Sequence, residues 1–140
     1  MRLFLDASVL LAAAGSPTGS SRALFTLAGQ QGWVLVSSPY ALNEVQRNLS
    51  KLPAAATADW VRLRPQLAVV DDVVSLDRPA IFAASKDRPI LFTALAWTQV
   101  LLTLDKADFA DLLGHTFYGL WVLLPYDFLQ RERAANRLKP

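Results

Sequence analysis

Apolar positions fall into short unbroken runs, separated by stretches in which they recur every three or four residues. The runs Leu3-Phe4-Leu5, Trp33-Val34-Leu35-Val36, Leu67-Ala68-Val69-Val70, Val100-Leu101-Leu102 and Leu120-Trp121-Val122-Leu123-Leu124 show no period-two alternation. Such runs predict strands buried on both faces. Between them, helical spacing marks Arg22 to Ala28, Ala54 to Leu63, and about Pro89 to Thr98, where Leu91 and Leu95 share a face. Ser38-Pro39 marks a further helix start, with Leu42, Val45 and Leu49 on one side and Pro53 closing it. A short helix is predicted over Ala107 to Leu113 and another over the tail from Tyr126 to Leu138, which leaves His115 in a loop. Gly15 to Ser21 is a loop by composition. Apolar strands alternating with helices predict an α/β fold with a parallel sheet covered on both faces.

Composition narrows the chemistry. At 140 residues a single domain over 1–140 is the expectation, and 53% hydrophobic against 19% charged residues suits one packed core. With no cysteine, thiolate nucleophiles, disulfides and cysteine-ligated zinc are excluded. His115 is the sole histidine, so a two-histidine acid–base mechanism has no second partner. Net charge is only +2, which permits contact with a polyanion without indicating one. The basic run Arg131, Arg133, Arg137 and Lys139 fits a solvated helix face. Asp6 interrupts any leader-like apolar region, and the apolar stretches Val9–Ala14 and Pro89–Leu104 are too short or too polar to span a bilayer. The expectation is a soluble cytoplasmic protein with no membrane partner.

The acids are few, 12 in all, and their placement is informative. Asp6 follows the first strand, Asp105 follows the fourth after Thr103, and Asp87 precedes the helix leading into that strand. Glu44 lies one turn into the helix after the second strand, and Asp108 one turn beyond Asp105. In parallel sheets, ligands sit at the carboxyl ends of strands near a topological switch point. Singly, each acid has a plainer explanation: Asp6 and Asp87 as helix caps, Glu44 as a solvated side chain, Asp105 and Asp108 as turn residues. Jointly, converging on one site, they imply either that some are protonated or that a cation is present. Two carboxylates about 4 Å apart repel by roughly 4 kcal/mol at an effective dielectric near 20, a large fraction of the roughly 5–15 kcal/mol that holds a domain together. With oxygen donors only, Mg²⁺ or Mn²⁺ fits, and such ions activate water for attack on phosphorus. Ser8 and Thr103 could orient those carboxylates or a water; as plain structural residues they would be caps.

The segments Leu3-Phe4-Leu5-Asp6-Ala7-Ser8-Val9-Leu10, Ser38-Pro39-Tyr40-Ala41-Leu42-Asn43-Glu44-Val45, Lys86-Asp87-Arg88-Pro89-Ile90-Leu91 with Ala94, and Leu101-Leu102-Thr103-Leu104-Asp105-Lys106-Ala107-Asp108-Phe109 resemble, in order, those of the PIN-domain family. The likeness is greatest to the VapC-type toxin ribonucleases of bacterial toxin–antitoxin pairs. Val122-Leu123-Leu124-Pro125 with Phe128-Leu129 extends it across nearly the whole chain. The resemblance implies a PIN-like three-layer α/β/α sandwich around a mainly parallel five-stranded sheet. It implies Mg²⁺- or Mn²⁺-dependent endonucleolytic cleavage of RNA, frequent homodimers, and inhibition by a cognate antitoxin. Asp6, Glu44, Asp87 and Asp105 match the family's acids. Asp105 and Asp108 compete for the fourth place, with Asp105 favoured because it directly follows Thr103. Ser8 departs from the asparagine many members carry. A phosphatase of the haloacid-dehalogenase kind would need an aspartate at Ser8, and a phosphate loop would need a lysine near Gly15 and Gly19. A catalytically silent PIN scaffold binding RNA or protein is the alternative from another class. Trp121, Tyr126 and Phe128, close to the basic run, are candidates for antitoxin or dimer contact, or else for completing the core.

Overall fold

A computed structural model describes residues 1–77, 82 and 85–138. Lys139, the last of the basic run, lies outside them. Strands β1 (Arg2–Leu5), β2 (Val34–Ser37), β3 (Ala68–Val69), β4 (Val100–Leu102), β5 (His115–Phe117) and β6 (Leu120–Leu123) form one sheet in the order β3-β2-β1-β4-β6-β5. All neighbours are parallel except the β5–β6 pair. The helices are α1 (Ala7–Gly15), α2 (Ser20–Gln31), α3 (Pro39–Asn48), α4 (Ala54–Leu63), α5 (Arg88–Trp97) and α6 (Pro125–Ala134). Helix α1 packs on α2, α3 and α4, and α2 on α6. The chain reverses direction across the sheet after β3, and α5 then packs on β1 and β4. The result is the expected three-layer arrangement. No helix of the described residues is long and apolar enough to cross a membrane.

Why these segments form these elements follows from burial. Leu3, Phe4 and Leu5 are wholly inaccessible, as are Leu101 and Leu102, because the central strands have helices on both sides. Each such side chain contributes about 1.5–3 kcal/mol through removal from water. Helix α2 ends where Gly32 turns left-handed, at φ 73°, and its N–H caps Ala28. Phe128 is buried and meets the Trp33 ring edge-on at 5.1 Å, completing the core, whereas Trp121 and Tyr126 stay exposed.

Three expectations are corrected. The sheet has six strands, not five. His115 opens β5, not a loop, and β5 turns into β6 through Tyr118 and Gly119, both at positive φ (48° and 85°). That is the two-residue hairpin geometry whose twist matches the flanking strands. The helix expected over Ala107 to Leu113 is instead a chain of turns. With Asp108 and Asp111 inside it and Gly114 behind it, the segment is too short to offset the cost of helix nucleation. What holds it is Phe109, fully buried against the Phe82 ring at 5.2 Å. Phe109→Ala is expected to cost about 3–5 kcal/mol in denaturant melts, with loss of divalent-ion affinity, since the same turns hold Asp105 and Asp108. Unchanged stability would mean the ring does not anchor the segment.

Candidate functional site

From β1 the chain moves outward to β2 and β3, then returns past them to β4. The carboxyl ends of β1 and β4 therefore flank the switch point, where neither connection covers the sheet edge. Asp6 leaves β1 there. Its Oδ1 accepts from the Ala7 N–H at 2.7 Å, capping α1, so the plain explanation of this residue is also true. Its Oδ2 accepts from Thr103 Oγ1 at 2.7 Å and from Ser8 Oγ at 3.2 Å. Thr103 Oγ1 in turn accepts from the Asp105 N–H at 3.1 Å, and Ser8 Oγ from the Leu104 N–H at 3.0 Å. The two hydroxyls thus tie the ends of β1 and β4 into one unit. Burial pushes the Asp6 carboxyl up to about 6; hydrogen bonds from Thr103 and Ala7 hold it back, and the negative charge of Glu44 adds to the rise.

Carboxylate oxygens of Asp87, Asp105 and Asp108 come within 4.8 Å of one another, an arrangement able to hold a metal ion. Asp87 precedes α5 but makes no side-chain cap bond, so the simpler role is not realised there. It is buried, and its Oδ2 has no hydrogen-bond partner. Burial raises its pKa most, followed by contact with Asp108 and the charges of Asp6, Asp108 and Asp105. Asp108 is lowered by hydrogen bonding with Asp87 and with Lys86. Asp105 keeps its turn role as well: its Oδ1 accepts from the Asp108 N–H at 2.9 Å. The predicted acids therefore sort themselves. Asp87, Asp105 and Asp108 converge, Asp6 stands beside them through Thr103, and half-buried Glu44 enters as a charge felt by Asp6.

Two participants carried no role in the sequence reading. Lys86 Nζ lies 3.0 Å from Asp108 Oδ2. The Tyr40 hydroxyl donates to the Lys86 carbonyl, pinning α3 to the turn Ser85–Asp87 that presents Asp87. A base directly before the acid was the available signal.

With three buried or half-buried carboxylates converging and the buried Asp87 Oδ2 lacking a donor, the residues fit a hard divalent cation.

A family model described as PIN domain matches residues 2–107. A chain from the crystal structure of VapBC2 from Rickettsia felis, bound to a DNA fragment from its promoter, superposes with a TM-score of 0.61 at 17% identity, covering 87% of this chain and 97% of that one. VapC20 from Mycobacterium tuberculosis, a toxin that cleaves the sarcin–ricin loop, superposes with a TM-score of 0.49 at 18% identity, covering 81% and 96%. No curated protein matches the sequence.

Proposed function

The chain belongs to the PIN-domain family, and on that premise we propose that it is a divalent-metal-dependent endoribonuclease, the toxin of a toxin–antitoxin pair. The observation that supports this best is the convergence of Asp87, Asp105 and Asp108 with an unpartnered buried oxygen on Asp87. Asp6, Asp87, Asp105 and Asp108 would hold Mg²⁺ or Mn²⁺, and Glu44 would add negative charge that draws the ion in. When bound, the ion supplies Lewis acidity toward phosphate and a more acidic water. The residues do the rest. Thr103 and Ser8 fix the Asp6 carboxylate in one orientation, Asp105 holds the turn that presents Asp108, and burial of Asp87 keeps the ring of acids dry enough for charge to act strongly.

RNA is the proposed substrate and a cognate antitoxin the proposed partner, by analogy with the toxin–antitoxin complex among the structural relatives. One domain, a homodimer and a cytoplasmic location complete the reading. The exposed Trp121, with Arg131 stacked 4.9 Å above its ring, and the exposed Tyr126 offer a contact surface. Light scattering at high concentration checks the dimer, and a strict monomer would remove it. The direct test of function is calorimetric titration with Mn²⁺ together with RNA cleavage in the same buffer. Saturable binding with metal-dependent cleavage is expected; absence of binding would end the metal reading.

Proton linkage gives a second check. A carboxyl whose folded pKa lies above its unfolded value favours the folded state when protonated. For Asp6, that stability is fully present below 3.8 and is lost as pH rises through about 6. The shift corresponds to about 3 kcal/mol. A divalent cation needs the ionised form, so its contribution moves the other way. The rise in melting temperature on adding Mn²⁺ is therefore expected to be small at pH 5 and large at pH 8, with protons released on binding. A stabilisation independent of pH would place the ion away from Asp6 and Asp87.

A further inference from the structure

Among the described residues, Lys86 is the base paired with the acidic cluster: its Nζ lies 3.0 Å from Asp108 Oδ2. The two partners differ in freedom. Asp108 is held by the turn after β4, whereas the Lys86 side chain is 73% exposed. Its backbone is fixed, because Tyr40 bonds the Lys86 carbonyl. A flexible ammonium on a fixed pivot can therefore change partners without moving the acids. It sits on a carboxylate that belongs to the set able to hold a cation. A divalent ion reaching that carboxylate would repel an ammonium already on it, and an exposed ion pair is weak enough to yield. Once displaced, the ammonium would stand at the rim of a site to which a phosphate diester must come, and a phosphate needs a positive point charge there.

We infer that Lys86 exchanges partners: it neutralises Asp108 in the metal-free chain, and on cation binding it releases Asp108 and takes a phosphate of the incoming RNA. This rests on the proposed nuclease function. It makes Lys86 a residue that holds substrate, and it gives the empty cluster an internal counter-ion in the absence of metal.

The test uses the full chain with Lys86→Gln and Lys86→Arg. Mn²⁺ alone is titrated first, by calorimetry. Lys86→Gln is expected to bind Mn²⁺ about two- to five-fold more tightly than the unaltered chain, since the competing ammonium is gone. A short phosphorothioate-linked RNA, which keeps its charge, is then titrated in the presence of Mn²⁺ over a range of salt. Lys86→Gln is expected to weaken binding and to flatten log K against log salt by about 0.7, the loss of one contact to a single strand. Lys86→Arg should restore the slope, which a merely structural lysine would not do. Equal or weaker Mn²⁺ affinity in Lys86→Gln, or an unchanged slope, would overturn the exchange while leaving the metal site intact. Failure of the unaltered chain to bind Mn²⁺ would overturn both this and the nuclease reading.

Discussion

Asp87→Asn is expected to reduce RNA cleavage by about a thousandfold while making the metal-free protein more stable above neutral pH. The two halves have one cause. Asp87 is buried, its Oδ2 has no donor, and burial together with Asp108 raises its pKa. In the metal-free fold its negative charge is thus a strain, relieved at low pH by a proton and at any pH by the neutral amide. With a divalent ion present, the same charge is an attraction. Even a single positive charge about 4 Å from a carboxylate attracts it by roughly 4 kcal/mol at an effective dielectric near 20, so losing that carboxylate from a divalent ion costs about three decades in affinity or more. Metal-free melts at pH 9 should place Asp87→Asn above the unaltered chain, the gap closing as pH falls and Asp87 takes up its proton. Lower stability of the variant at every pH would mean that Asp87 serves the fold. A mutation that stabilises the empty protein and disables the loaded one marks a residue selected for a ligand.

Much of this was legible in the sequence, for definable reasons. Leu3-Phe4-Leu5 and Val100-Leu101-Leu102 read as buried parallel strands because both faces are covered, and Asp6 and Asp105 then had to sit at strand ends. The ordering of the acids within the site was not legible. Asp105 and Asp108 looked like alternatives, yet the turn built on Asp105 Oδ1 brings both to the cluster. Asp87 before Arg88-Pro89 has the composition of a helix cap, and only coordinates show that its side chain makes no cap bond. Strand β5 was hidden because Tyr118 occupies a hairpin position where asparagine or aspartate is the usual signal. Ala107 to Leu113 failed as a helix because so short a segment does not offset helix nucleation, and the burial of Phe109 holds it as turns. The Lys86–Asp108 pair joins residues far apart in the chain, and spacing alone cannot place a lysine's ammonium.

EDTA is expected to abolish cleavage, and Mg²⁺ or Mn²⁺ to restore it. Raising the pH should not substitute for the ion. Without a cation, deprotonating Asp6 and Asp87 only adds negative charge to a site that must receive a phosphate, so higher pH makes the empty site worse. The products distinguish this chemistry from the common metal-free route. Cleavage through the RNA 2′-hydroxyl needs a general base and a general acid, which paired histidines often provide. This chain has one histidine. His115 opens β5, exposed, with β6 between it and β4, so two strand spacings, roughly 10 Å, separate it from the strand that presents Thr103 and Asp105. Water is therefore the expected nucleophile, leaving a 5′-phosphate and a 3′-hydroxyl, and His115→Ala should cleave at the rate of the unaltered chain. Mass spectrometry of the fragments reads the outcome. A 2′,3′-cyclic phosphate, or full activity in EDTA, would show that the acids serve some other purpose even though the fold is that of a PIN domain.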